Sequence, residues 1–244
     1  MAKGPGLYFD IGKKARDVLY KDFDQKPTFH LINYRGCDWS FDLSCKIQEI
    51  LPGLSALVSL VLPNAAKVES QFIHDYFGIT GGFGLKEDPI IGGYNPTLNF
   101  SSVIGGVGFA FGSEFGFEIP TRTLYKFNHG FTFNTDDLVA SFTLDKLDIL
   151  KASCYYAVDK VSNTGIAAEM KHSFSMNETT FSIGAEHAMF PLTVLKGKIN
   201  SHGKVAALVQ QNMWDKCFMT LGGEVDFMDS RRIPNLGLSM AFRV

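Results

Sequence analysis

The final residues of the chain, 235–244, alternate without a break. Leu236, Leu238, Met240, Phe242 and Val244 share one parity, and Asn235, Gly237, Ser239, Ala241 and Arg243 share the other. Side chains on a strand point to opposite faces with period two, so this pattern makes a strand with one greasy and one wettable face. A soluble fold rarely leaves such a strand as its free terminus, because an unpaired edge templates aggregation. About ten alternating residues also suffice to cross a bilayer as a tilted barrel strand.

The same alternation recurs upstream. Leu138, Ala140, Phe142 and Leu144 oppose Val139, Ser141, Thr143 and Asp145; Phe181, Ile183 and Ala185 oppose Thr180, Ser182, Gly184 and Glu186; Thr193, Leu195, Gly197 and Ile199 oppose Val194, Lys196, Lys198 and Asn200. Turn clusters at 134–137, 175–178 and 200–203 separate them. From Lys26 onward the spacing predicts about sixteen strands, the first over residues 27–35, at roughly 13 to 14 residues per strand and turn. Residues 36–53 and 88–106 are the regions where the count is least defined. No repeat of about 40 residues marks a propeller, and no linker divides the chain, so residues 26–244 are expected to form one barrel domain behind an N-terminal segment, 1–25. Within 244 residues no apolar run approaches the roughly 18 needed for a membrane-spanning helix. The 24 glycines and 22 phenylalanines suit β-structure, with aromatics in strands and glycines at turns and close approaches. Residues 1–7 lack a signal-peptide core, which argues against secretion. Cys37, Cys45, Cys154 and Cys217 follow no disulfide or metal spacing, and a net charge of −2 argues against a nucleic-acid partner.

One segment breaks the period. Leu7, Tyr8, Ile11, Ala15, Val18 and Leu19 fall on one helical stripe, while Asp10, Lys13, Arg16, Asp17 and Lys21 fall on the opposite face. This predicts an amphipathic helix of about four turns. Two placements fit it, the surface of a membrane or the inside of a pore with its stripe against the wall.

Enzyme signatures are absent: the chain has no GxxxxGK[ST], GxSxG or HExxH, and its histidines never reach a metal-ligand spacing. No cofactor, metal or catalytic residue is expected. Charge placement says more. On the wettable parity of the later strands stand Lys126, Lys151, Lys171, Lys196, Lys198, Lys204, Lys216 and Arg243, against Asp145, Glu169, Glu186, Glu224 and Asp226. A basic wall lowers the energy of a passing anion; ordinary solvated charges are the alternative.

Three passages carry a family resemblance. Tyr8-Phe9-Asp10-Ile11-Gly12-Lys13-Lys14-Ala15-Arg16-Asp17, followed by Lys21, resembles the N-terminal helix of the mitochondrial porins, the voltage-dependent anion channels. The opening Lys3-Gly4-Pro5-Gly6-Leu7-Tyr8 is most similar to their plant branch. His187, Pro191, Thr193, Gly197, Lys198, Ile199, Asn200, Ser201, Ala206, Ala207 and Val209 resemble the family's two-strand signature. Asn235-x-Gly237-x-x-Met240-x-Phe242 resembles the signal by which the outer-membrane assembly machinery recognises a last strand.

The resemblance implies a transmembrane antiparallel β-barrel in the mitochondrial outer membrane with the helix in its pore. That pore would be voltage-gated, weakly anion-preferring and open to small ions and metabolites, nucleotides included. Asp10, Ile11, Lys13, Lys14, Arg16, Asp17 and Lys21 would form the pore helix, with Ile11 on the wall. By strand parity Lys126, Lys151, Lys171, Lys196, Lys198 and Glu224 would stand on the pore wall, and Asn235, Gly237, Met240 and Phe242 would form the assembly signal. Expected partners are outer-membrane lipid, the barrel assembly machinery, permeant anions and nucleotides, and a further copy of the chain in a homo-oligomer.

The chain also departs from the family. It is about thirty residues shorter, with the loss between residues 35 and 52, which would reduce the family's count of about 19 strands to the sixteen of the pattern. An even count closes without a parallel seam. The family's Gly-Leu-Lys stretch reads Gly53-Leu54-Ser55, and Phe190 stands where the signature has an acidic residue. These departures keep open a second function, a non-conducting barrel that docks partners or contacts lipid. A soluble ligand-carrying barrel is the third reading.

Overall fold

The computed structural model describes residues 4–21, 23, 41–51, 53–62, 65–88, 93–160, 162–189, 192–214, 217–228 and 235–242. They form a 3-10 turn (Tyr8–Asp10), the helix α1 (Lys13–Leu19) and 15 strands. In chain order the strands are β1 Phe41–Leu51, β2 Leu54–Leu62, β3 Ala65–Ile73, β4 Phe77–Asp88, β5 Gly93–Gly105, β6 Phe109–Glu118, β7 Thr123–Asn134 and β8 Leu138–Asp145, followed by β9 Ile149–Asp159, β10 Thr164–Ser173, β11 Glu178–Met189, β12 Thr193–Asn200, β13 Lys204–Trp214, β14 Cys217–Asp226 and β15 Asn235–Phe242. They make one sheet, each strand hydrogen-bonded to the next in sequence, and every register defined for a pair is antiparallel. Such an order needs only short reversals. One of them carries Lys146 (φ 52) and Leu147 (φ 57) in the left-handed region, closed by Asp148 N–H donating to the Asp145 carbonyl at 3.0 Å. Two consecutive positive φ values match the twist of the flanking strands.

An 11-residue strand such as β9 spans about 36 Å. Tilted by about 40°, it rises about 28 Å, enough for the apolar band of about 25 Å that transmembrane barrels present to lipid.

Backbone contacts group the chain into two compact units. The first comprises Met1–Ile11, Leu31–Phe133 and Thr143–Asp148; the second comprises Gly12–His30, Asn134–Phe142 and Ile149–Val244. In the first, Leu98, Phe100, Ile104, Phe109, Phe111 and Phe131 are exposed on one face of the sheet, while Val103, Ala110 and Thr132 on the other are buried. The N-terminal 3-10 turn contacts β5 and β6. In the second, Phe142, Tyr156, Ile166, Phe181, Ile183 and Val209 are exposed, whereas Ser141, Ala167, Lys196 and Ala206 on the opposite parity are buried. Helix α1 lies over β9 to β12. Each unit therefore has a helix-bearing face of small and polar residues and an opposite apolar face. An exposed apolar surface of this extent is a liability in water and the expected outer surface in lipid.

Two expectations change. The single helix of about four turns is in fact a 3-10 turn and a seven-residue helix. Asp10 lies in the turn rather than in a helix, and Ile11 is extended (φ −62°, ψ 120°). The physical reason is local. Asp10 Oδ2 accepts the Leu7 N–H at 3.0 Å, which satisfies the first turn from a side chain, and Gly12 adopts φ 67°, which ends one segment and starts the next. The described residues hold 15 strands against the sixteen expected, and the expected first strand, 27–35, with its pairing to 235–244, lies outside them. The region between 35 and 52, where the shortening was expected, supplies β1.

Phe100→Lys, on the apolar face of β5, should cost about 2–4 kcal/mol of folding free energy in a bilayer. Ser101→Lys, its neighbour on the helix-bearing face and directly opposite Glu114, should change it by no more than about 0.5 kcal/mol. Urea titration of the protein refolded in lipid vesicles reads both.

Candidate functional site: the helix seat

The helical N-terminus lies where the sheet has been cleared of side chains. In the first unit Ile11 is 2% exposed and rests above Gly112 and Gly130. A β-carbon at either position would stand 3.0 or 3.1 Å from Ile11 Cδ1, closer than the neighbour tolerates without moving. The preceding segment is held just as closely, since a β-carbon on Gly78 would collide with the Gly6 carbonyl oxygen.

In the second unit α1 buries Ala15, Val18 and Leu19 together with Ala167 of β10, with Tyr155 packed at the margin. Burial of Val18 and Leu19 contributes about 1.5–3 kcal/mol each as an upper estimate. Gly12 sits against Ser141 and Ser153, whose hydroxyls bond each other at 2.7 Å. A β-carbon at Gly12 would stand 2.7 Å from Ser141 Oγ. Under the far end, Gly184 gives way to Leu19, whose Cδ2 would meet an added β-carbon at 2.9 Å.

A polar clasp closes the C-terminal end of α1. Lys196, 9% exposed, donates from Nζ to the Asp17 backbone carbonyl at 3.0 Å and lies 3.8 Å from a Glu186 carboxylate oxygen. An ammonium group at the last carbonyls of a helix satisfies an orphan acceptor and complements the helix dipole. The Tyr20 hydroxyl donates to Glu169 Oε1 at 2.5 Å; burial first, and then the Glu169 carboxylate, push its pKa upward, so the phenol keeps the proton it donates. Lys198 Nζ lies 4.4 Å from the Phe23 ring centroid and 5.4 Å from that of Tyr20, within cation–π range.

The outer side of α1 is cationic. Lys13, Lys14, Arg16 and Lys21 are exposed, with Lys14 Nζ 5.6 Å from the Tyr155 ring centroid. Lys151 and Lys171 are cross-strand partners on β9 and β10, on the same parity as Ala167 beneath the helix. In the first unit Lys126 donates to Glu114 Oε1 at 3.0 Å, and Asn128 donates to its other oxygen at 3.1 Å. Glu224 lies on β14, opposite Ala206 and Asn235.

The site residues chosen from sequence thus separate into groups. Ile11 lies under cover, Lys13, Lys14, Arg16 and Lys21 face outward, and Asp17 contributes its backbone carbonyl. Lys196 and Lys198 grip the helix end, Lys151 and Lys171 share a row, and Lys126 is tied to Glu114. Asn235, Gly237, Met240 and Phe242 all fall on β15, paired with Glu224, Gly222, Met219 and Cys217. Of the wider charge set, Lys216 and Arg243 lie outside the described residues. The expected basic excess does not extend over the described face, because Lys67, Glu69 and Glu114 also lie on it and remove the imbalance; the basic character is local to α1, β9, β10 and β12. Sequence reasoning missed Tyr20, Tyr155, Glu114 and the small residues Gly112, Gly130, Ala167 and Gly184. Those small residues carried a readable signal, since they recur at the wettable parity where a plain water-facing wall would carry polar side chains.

Comparison with known proteins is in keeping with this arrangement. The profile of the eukaryotic porin family matches residues 36–233. The outer plastidial membrane protein porin of Pisum sativum is 36% identical over 282 aligned residues, covering 100% of both chains. The mitochondrial outer membrane protein porin of 36 kDa from Solanum tuberosum is 36% identical, and the mitochondrial outer membrane protein porin 1 of Arabidopsis thaliana 34%, each again over 100% of both chains. A solved structure described as "Asymmetric conductivity of engineered proteins" shares the fold at a TM-score of 0.54 and 8% identity, over 82% of this chain and 88% of that one.

Gly12→Val should unseat the start of α1, since it both strains a left-handed residue and collides with Ser141, at a local cost of about 1–3 kcal/mol. Amide hydrogen exchange over residues 13–19 should accelerate accordingly while the β9–β12 amides keep their protection.

Proposed function

Because the chain belongs to the eukaryotic porin family, a family of channels rather than of enzymes, and is a protein of the mitochondrial outer membrane, we propose that it forms a voltage-sensitive, weakly anion-preferring diffusion pore. Small ions and metabolites, nucleotides among them, are its permeant species. One observation carries this reading: α1 is seated by its apolar stripe on the same sheet face that carries the Lys151–Lys171 row and leaves Lys13, Lys14 and Arg16 exposed.

Electrostatics is the only chemistry required. At about 8 Å in water two unit charges interact by about 0.5 kcal/mol before screening, and by about 0.2 kcal/mol in physiological salt, where the Debye length is about 8 Å. A few cations near the path therefore bias passage modestly, in keeping with a weak preference that fades with added salt. Voltage sensitivity would follow from the same charges, because a transmembrane field acts on the helix through them. Lys196 and the Tyr20–Glu169 bond set how firmly that helix is held. Asn235, Gly237, Met240 and Phe242 on β15 are proposed as the strand read by the outer-membrane assembly machinery.

Planar bilayers test the proposal. The purified chain should give stepwise conductance that falls at high voltage of either sign; well-folded protein without conductance would return the non-conducting barrel as the better reading. Replacing Lys13 and Arg16 together by Gln should lower the anion-to-cation permeability ratio about two- to fourfold, read from the reversal potential in a salt gradient. Lys196→Met should leave that ratio nearer the original and shift the voltage at which conductance falls.

A further inference from the structure

The apolar face of the first unit carries a polar pair where hydrocarbon should lie. Ser113, at the middle of β6, and His129, at the middle of β7, are cross-strand partners, with Ser113 Oγ 3.0 Å from His129 Nδ1. Their parity is that of Phe111 and Phe131, both exposed, and is opposite to that of Gly112 and Gly130 beneath Ile11. Phe127 stands edge-on to the imidazole at 4.7 Å and Phe115 at 6.3 Å, while Phe111 stacks at 6.5 Å. Among the described residues nothing bonds Nε2.

Two other histidines repeat the bond and isolate what is particular here. His172 Nδ1 meets Thr179 and His187 Nδ1 meets Thr164, again on the apolar parity but near the ends of β10 and β11, where water completes their hydrogen bonding. At mid-strand the bilayer holds no water to do so, and Nε2 is left to the acyl chains. In the tautomer whose Nδ1–H donates to the serine oxygen, Nε2 carries a lone pair. The uncharged imidazole is then a nucleophile placed in lipid, with a hydroxyl bonded to its other nitrogen. Cys154, exposed on the apolar parity of β9, lacks such help. A thiol must ionise before it attacks, and no described group bonds this one to take its proton.

We propose that His129 is a covalent acceptor site for lipid-soluble α,β-unsaturated aldehydes, the electrophiles released when polyunsaturated acyl chains are oxidised, and that Ser113 is its proton relay. Nε2 forms a bond to the β-carbon of the aldehyde, and the carbon–carbon π pair moves toward the carbonyl to give an enolate. Nδ1 gives its proton to Ser113 Oγ, and the serine hydroxyl gives its own to the enolate, which becomes a saturated aldehyde. The ring ends uncharged, with Nδ1 accepting from the hydroxyl to which it formerly donated. Every atom of both partners is kept, and no oxidant or reductant is consumed. The inference rests on the reading of this sheet as membrane-spanning and not on conduction.

The full chain in vesicles of saturated phosphatidylcholine is exposed to trans-2-nonenal or to acrolein, reduced with borohydride and mapped by mass spectrometry, with conductance measured on the same preparations. Added methylenes favour hydrocarbon. Nonenal should therefore label His129 ahead of His172, His187 and Cys154, whereas acrolein, held largely in water, should label the two strand-end histidines first. His129→Phe should abolish the first mass increment that nonenal adds to the intact protein, and should conduct like the parent. Ser113→Ala should slow labelling of His129 about tenfold or more, and Ser113→Thr, which restores the hydroxyl, should recover it. Nonenal labelling confined to Cys154 or to the strand-end histidines, in a chain that conducts, would overturn the site and leave the pore intact. An unchanged rate in Ser113→Ala would overturn the relay. Acrolein labelling of His129 as fast as that of His172 would mean that water reaches it and would overturn the membrane-spanning reading of this face. A chain that never conducts but takes the nonenal adduct at His129 would support the site and overturn the pore.

Discussion

Hydrocarbon offers no partner to a backbone N–H or C=O, and everything else in this protein depends on that constraint. Every spanning segment must find its hydrogen bonds in a neighbouring strand, and the ladder from β1 to β15 in chain order is the simplest way to supply them with short reversals. Once pairing is fixed, side-chain period does the rest. One parity has to suit lipid and the other has to suit water and the helix, so a shift of register by a single residue would expose every charge on the wrong side.

The helix seat shows how little specific chemistry is needed to hold a segment on such a wall. Along the track of the N-terminus the sheet presents Gly112 and Gly130 in one unit and Ser141, Ser153, Ala167 and Gly184 in the other. Small residues leave room in each, taken by Ile11 in the first and by Val18 and Leu19 in the second. Polar groups act at the end of the segment, where Lys196 meets the Asp17 carbonyl and Tyr20 meets Glu169. Apolar contact and polar restraint are thus separated along the helix, so its grip can change without dismantling its seat.

Much of this was legible in the residue pattern. Alternation assigned Ser141, Glu186, Lys196 and Lys198 to one face and Phe142, Phe181, Ile183 and Ile199 to the other, and the stripe from Leu7 to Leu19 marked the buried side of the N-terminus. The interruption at Ile11–Gly12 was not legible, because a 3.6-residue period survives a break when a left-handed glycine restores the phase. Nor was the clasp: Tyr20–Glu169 and Lys196–Asp17 join groups far apart in sequence, and periodicity assigns a face without assigning a neighbour. The wall charges were read by sign alone, which identified the lysines of β9, β10 and β12 but not the Glu114 that ties up Lys126.

The positive-φ glycine at position 12 and the flat track around it bear on how this chain can vary. In most pores the positions under strongest constraint are expected to be the charged ones, whose loss alters what passes. Here an exposed lysine on the wall, such as Lys171, can be exchanged for another solvated side chain at modest cost. Any residue in place of Gly112, Gly130 or Gly184 adds at least one carbon where the N-terminal segment already lies, and one in place of Gly12 drives a carbon into Ser141. Drift in exposed charge is therefore cheap on this wall, whereas each of these glycines can be replaced only if the segment or side chain packed on it moves.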